Sequence, residues 1–288
     1  MFKKVFYILL FILFQFSCSN KKEKKEKISN FTEINLNNNS FNIPSPFLAI
    51  SLFEKLEIKF LDNIINLSDR NIENYESDFK KSLNLGIYIA DFGYLKSYKK
   101  AEKSHKCYLE IKKLSSQLKL NNIINDEIKN RIENNLKDSI FEIYNVVLEK
   151  INIFLKKNEK NETKVLILIG VYFESLHFLL QNYLFIQNLE LRKYIAEQKI
   201  SIENIMNLMR PYCKYSKEIN ELTLKLVDLS YDFDAIELIP INNPNLSKID
   251  NKKNLIKLNS EINVVITDKN LLKRISDKII ILRQEIIN

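Results

Sequence analysis

Glycine is scarce in this chain, with three residues in 288, at positions 86, 93 and 170. No Gly-rich phosphate loop and no nucleophile elbow is present, which excludes P-loop nucleotide binding and α/β-hydrolase chemistry. Cysteine occurs only at 18, 107 and 213. Cys107 and Cys213 could pair in an exported protein, but two residues make no disulfide framework. There are two histidines, and no Cys/His spacing of a structural zinc site. Proline falls at 44, 46, 211, 240 and 244, and nowhere from Phe47 to Arg210.

The excess of positive charge is also smaller than it looks. The whole chain carries +8. Setting aside Lys3, Lys4 and the five lysines and two glutamates of residues 21–27 leaves 37 basic and 34 acidic residues, a net of +3. The basic character belongs to the start of the chain, so no nucleic-acid surface is expected on the body.

That start reads MFKKVFYILLFILFQFSCSN. Lys3 and Lys4 precede an apolar run of ten residues, Val5 to Phe14. A bilayer span needs about 20 apolar residues, so this is the pattern of a signal peptide, residues 1–17. Ser17 followed by Cys18 resembles a bacterial lipobox, with Gln15 where an aliphatic residue is usual. The resemblance implies cleavage before Cys18 and its lipidation. Two or more acyl chains hold a protein stably where one does not. The expected location is therefore the bacterial cell envelope, lipid-anchored, at the outer membrane. Residues 19–44 are dominated by Lys, Glu, Asn and Ser, and read as a flexible linker behind the lipidated cysteine.

The body, residues 45–288, reads as a single all-α domain of about seven helices. Ile128, Ile132, Leu136, Ile140, Val147, Ile151 and Leu155 trace one helical stripe, and Phe79, Leu83, Ile87, Ala90, Tyr94, Leu95 and Tyr98 another. The patterns predict helices over 47–69, 76–118, 123–157, 163–187, 189–212, 216–235 and 268–287. A loop is expected over 240–254 and a short strand over 262–267, with Thr267 or Asp268 capping the last helix. No internal repeat is found. The run Val165 to Ile186 is apolar almost all round, which suits a central buried helix. Its length would also allow a membrane span, but Glu174 and His177 stand at its middle, where charge is costly.

Gly86 and Gly93 lie seven apart, on nearly one helix face. Each costs about 1 kcal/mol against alanine, which close approach by a neighbouring helix would explain. That neighbour is expected to be the helix of Gly170. Asp91 and Glu174 are the acidic groups most exposed to burial, and buried carboxyls need partners. Tyr88, Tyr94, Tyr98 and Tyr172 offer hydroxyls. Asp91, Glu174 and His177 are thus the candidate buried polar or binding residues.

The segments LNLGIYIADFGYLKSY, LILIGVYFESLHF and ITDKNLLKRISDKIIILRQEI resemble an uncharacterised family of Bacteroidetes lipoproteins with an all-helical body. Leu85, Gly86, Ala90, Asp91 and Tyr94 match its first segment, Gly170 and Glu174 its second; His177 is outside the pattern. The resemblance implies an envelope location and no known activity. No cofactor and no catalytic residue is expected. The implied function is a membrane-tethered, non-catalytic interaction or structural domain, with the membrane and an envelope protein as partners.

One alternative is a metal site. Both histidines fall in Glu-x-x-His, as Glu102–His105 and Glu174–His177. Ferritin-like di-metal bundles use two such elements with a carboxylate from each of two further helices. Glu142 would be a candidate for the extra ligand. Against this, KKAEKSHK around Glu102 reads as a solvated face.

Overall fold

The computed structural model describes residues 31–36, 39–44, 46–66, 72–120, 161–240 and 262–288. The leader, Cys18, the expected helix at 123–157 and most of the expected loop at 240–254 lie outside the described residues. Within them the fold is all-α, with seven α-helices and two two-stranded ribbons.

The centre is α4 (Asn161–Ile186), whose residues from Lys164 to Leu180 are all buried. Around it pack α1 (Pro46–Lys55), α2 (Asp78–Ser97), α5 (Leu189–Met209) and α7 (Leu271–Ile287), the α2–α4 contact being the most extensive. The helix is long and apolar enough to cross a bilayer, but 94% of its most apolar window is buried inside the fold. Its neighbours already provide what lipid would, at ~1.5–3 kcal/mol per large side chain removed from water. The second layer is α3 (Ala101–Gln117) on α2, and α6 (Lys217–Asp234) on α5 and α7.

Polar side chains start three of these helices. Ser77 accepts from Lys80 N, Asn188 from Glu190 N and Leu191 N, and Ser216 from Ile219 N. At α7 the N-cap is Asn270, without a side-chain cap bond, and not Thr267 or Asp268 as expected; Asp268 Oδ1 accepts from Asn270 N at 2.8 Å in the preceding turn. Pro211 ends α5 in a 3-10 turn, Arg210–Tyr212.

The expected helix over 76–118 is in fact two. Lys99 takes a left-handed φ of 56°. Its N–H donates to Lys96 O and that of Lys100 to Leu95 O, both at 2.9 Å. This is a Schellman ending. The same bonds recur at Glu57 (φ 51°), which stops α1 at Lys55 where a helix to 69 was expected, and at Lys119 (φ 60°) after α3. Glycine normally takes this position because a Cβ there costs about 1–2 kcal/mol. Lys99 is exposed. Lys99→Gly is therefore expected to raise stability by about 1 kcal/mol, read as a higher urea midpoint with unchanged slope.

Two ribbons complete the fold. β3 (Ile236–Pro240) and β4 (Ile262–Ile266) pair antiparallel, Leu238 opposite Val264. The strand at 262–266 matches expectation; its partner begins just after the expected helix end at 235 and was not expected as a strand. β1 (Phe31–Leu36) and β2 (Asn39–Pro44) also pair antiparallel, with β2 beside α5. The linker reading of residues 19–44 is corrected here. Its last part alternates apolar and polar residues around Asn37–Asn38, the pattern of a short hairpin.

Candidate functional site

The glycines set the register of the core. A Cβ on Gly86 would stand 2.1 Å from Ile167 O and 2.9 Å from Gly170 Cα, and one on Gly170 would stand 2.0 Å from Leu83 O. The backbones of α2 and α4 therefore touch, as expected from Gly86. Gly93 is buried on the same helix. The two helices run parallel from that point. Tyr94 stacks on Phe178 with ring centroids 4.6 Å apart. Between these two contacts Asp91 comes opposite Glu174.

Both carboxyls are fully buried. The structure brings together these two candidate residues and a third group that the sequence reading did not identify, Arg283 of α7. Its Nε donates to Glu174 Oε2 at 2.5 Å and its Nη2 to Oε1 at 2.7 Å. The same Nη2 donates to Ile64 O at 3.3 Å. Asp91 Oδ2 accepts from Asn66 N at 3.1 Å. The tyrosines expected as partners do other work. Tyr94 Oη accepts from Leu61 N and Tyr98 Oη donates to Ile58 O, whereas Tyr88 Oη and Tyr172 Oη have no hydrogen-bond partner among the described residues. Arg283 had a legible signal. Ile279 and Ile287, four residues to either side, are buried on the same helix face.

Burial, and then the negative charge of Glu174, push the Asp91 carboxyl well above its ordinary range, against a smaller opposing effect of Arg283 and Asn66 N–H. A side-chain hydrogen bond with Glu174 raises it further, so Asp91 is the acid of the two that keeps its proton. Burial opposes the charge of Arg283, but Glu174 and Asp91 more than offset it, so its pKa is raised. His177 lies beside the pair; burial, only partly countered by Glu174, holds it down at about 4. The result is one ion pair, one neutral acid and one neutral imidazole, with only Arg283 partly exposed.

These shifts act on stability in opposite directions. Asp91 titrates near 3.9 when unfolded. With its folded value raised, its contribution is complete below about pH 4 and is lost as pH rises. His177 titrates near 6.5 unfolded and about 4 folded, so its contribution is lost as pH falls from 6.5 to 4. Asp91→Asn, which keeps a neutral donor, should leave only the histidine effect. Urea midpoints should then show a loss of about 2 kcal/mol on going from about pH 7 to about pH 5. His177→Gln should show the reverse slope. Identical pH profiles for the two variants would refute this assignment.

The metal alternative does not assemble. Glu102 and His105 are exposed on α3, and Glu102 pairs with Lys106 at 3.1 Å. The buried face of that helix is Ser104, Cys107, Tyr108, Ile111, Leu114 and Ser115, so the Glu-x-x-His element points outward. Among the described residues no three His, Cys, Asp or Glu side chains come together as metal ligands. Glu142 lies outside the described residues. Cys107 and Cys213 are both free. Cys107 is buried, its Sγ donating to Tyr88 O at 3.1 Å, and burial raises its pKa, which makes it a poor nucleophile.

No protein-family model, no curated protein and no solved structure matches this chain.

Proposed function

We propose that this chain is a cell-envelope lipoprotein, tethered by lipidated Cys18 at the outer membrane, whose helical body is a non-catalytic interaction or structural domain. The observation that carries the tether is the ten-residue apolar run closing on Ser17–Cys18 behind Lys3 and Lys4. A structural role for the buried Glu174–Arg283 pair is supported by its geometry. Arg283 spends its fork on both oxygens of Glu174. Asp91 and Glu174 have no exposed surface from which to reach a substrate. General acid–base work needs such a group within hydrogen-bond reach of the reacting atom. The resemblance to the Bacteroidetes lipoproteins points to the same location and supplies no activity.

Cys18→Ala is expected to abolish incorporation of labelled fatty acid and to move the protein out of the membrane fraction. Retention of that variant in membranes after a carbonate wash would overturn the tether. Crosslinking and pull-down from envelopes would then identify the protein that the body contacts.

A further inference from the structure

The corner between α4 and α5 is built unlike the rest of the surface. Leu184, Phe185, Ile186 and Leu189 are 38%, 70%, 40% and 75% exposed. Four large apolar side chains within six residues form a contiguous point, where single exposed residues would be unremarkable. The corner is tight. Gln187 takes a left-handed φ of 49° and Asn188 caps the next helix. Phe185 and Leu189 are therefore held out into solvent at the turn between the two helices.

Beside it lies a cavity of about 390 Å³ that shares Leu184 and Gln187 with the corner and is lined by Arg192, Lys269 and Lys273. Asp268 also lines the cavity, but Arg192 makes no ion pair among the described residues. Its Nη2 reaches only Val264 O at 3.4 Å, and its Nε is buried without a partner. Lys273 is held by Asp277, and Asp268 by Arg274, so the unneutralised charge of the wall is positive.

We infer that this corner docks onto a bilayer: Phe185 and Leu189 enter the acyl boundary, and the adjoining basic cavity takes the phosphate of an anionic lipid headgroup. An apolar point with a basic rim is the form that lies in an anionic interface. The proposal rests on the tether for bringing the body to a membrane. Twelve residues separate Cys18 from Phe31. Extended, they reach up to about 45 Å. The body begins at Pro46, and α1 leads from there to Lys55, which pairs with Glu190 at the base of the corner at 2.7 Å. That helix is only about 15 Å long, so the tether does not keep the corner off the bilayer.

The chain has no tryptophan, so a single indole reports its own position. The full chain carrying Phe185→Trp would be mixed with vesicles of equal parts phosphatidylcholine and phosphatidylglycerol, and compared with Tyr231→Trp on α6, a site 69% exposed. The expected result is a blue shift and quenching by brominated lipid for Phe185→Trp alone, weaker in vesicles of phosphatidylcholine only. Phe185→Ser with Leu189→Ser should lower vesicle affinity of the Cys18→Ala chain at least about tenfold. Arg192→Gln should remove the preference for phosphatidylglycerol. If the chain floats with vesicles while the indole at position 185 stays open to acrylamide, the corner reading is overturned and the tether stands. A protein would then be the occupant to seek. Equal quenching at positions 185 and 231 overturns it too. A shift at 185 in a chain that takes up no labelled fatty acid supports the corner and removes the tether. No flotation at all overturns both.

Discussion

Arg283→Met is expected to lower the stability of this protein by roughly 3–5 kcal/mol, a large part of what a folded domain has. Among the described residues the guanidinium is the cation paired with Glu174, and the carboxylate has no exposed surface. Removing Arg283 leaves that charge buried beside Asp91, and it takes one donor from Ile64 O. Lysine should not restore the wild-type midpoint. A single ammonium cannot hold both Glu174 oxygens and the carbonyl of Ile64 with the geometry of a fork. The informative variant is the double replacement, Arg283→Met with Glu174→Leu. A buried pair exchanged as a unit for apolar residues is often neutral or stabilising. The double variant should therefore recover most of the loss. Failure to recover in denaturant melts would mean that Arg283 supports the fold through something other than Glu174.

The same pair shows how far the sequence could be read. Asp91 and Glu174 stand in strongly apolar stretches at helical spacing, so their burial follows from periodicity alone. Their partner does not. Arg283 is 109 residues beyond Glu174, and helical periodicity assigns a residue to a face without saying which face meets it. Nearby tyrosines looked sufficient for that reason. The limits of the helices were legible where the sequence marks them with Ser77, Ser216 or Pro211, and lost where it does not. At Glu57, Lys99 and Lys119 ordinary side chains occupy the left-handed position that glycine usually marks. A chain this poor in glycine hides its own helix ends. α4 was the clearest element because a segment so long and apolar nearly all round has few ways to be satisfied, and its environment inside the protein follows from the glutamate in its middle.

Gly170→Ala and Gly86→Ala should each cost about 3 kcal/mol or more, at or beyond the upper end of what overpacking usually does. Two effects compete. Alanine gains about 1 kcal/mol of helix propensity over glycine. Against it, the added methyl of Gly170→Ala would sit 2.0 Å from Leu83 O, and that of Gly86→Ala 2.1 Å from Ile167 O. Both obstacles are backbone atoms inside helices, so no side chain can rotate away and relieve the overlap. The helices must separate. Separation would also draw Asp91 away from Glu174 and Tyr94 off Phe178, which are placed by the same register. The steric effect should therefore win by a wide margin. Because both methyls would push apart the same two backbones, their costs should not add. Once one alanine has opened the contact, the second finds space already made, and the double variant should lose clearly less than the sum of the singles. Urea melts of the three variants decide the matter. A raised midpoint in either single variant, or full additivity in the double, would show that α2 and α4 are not held together by this contact.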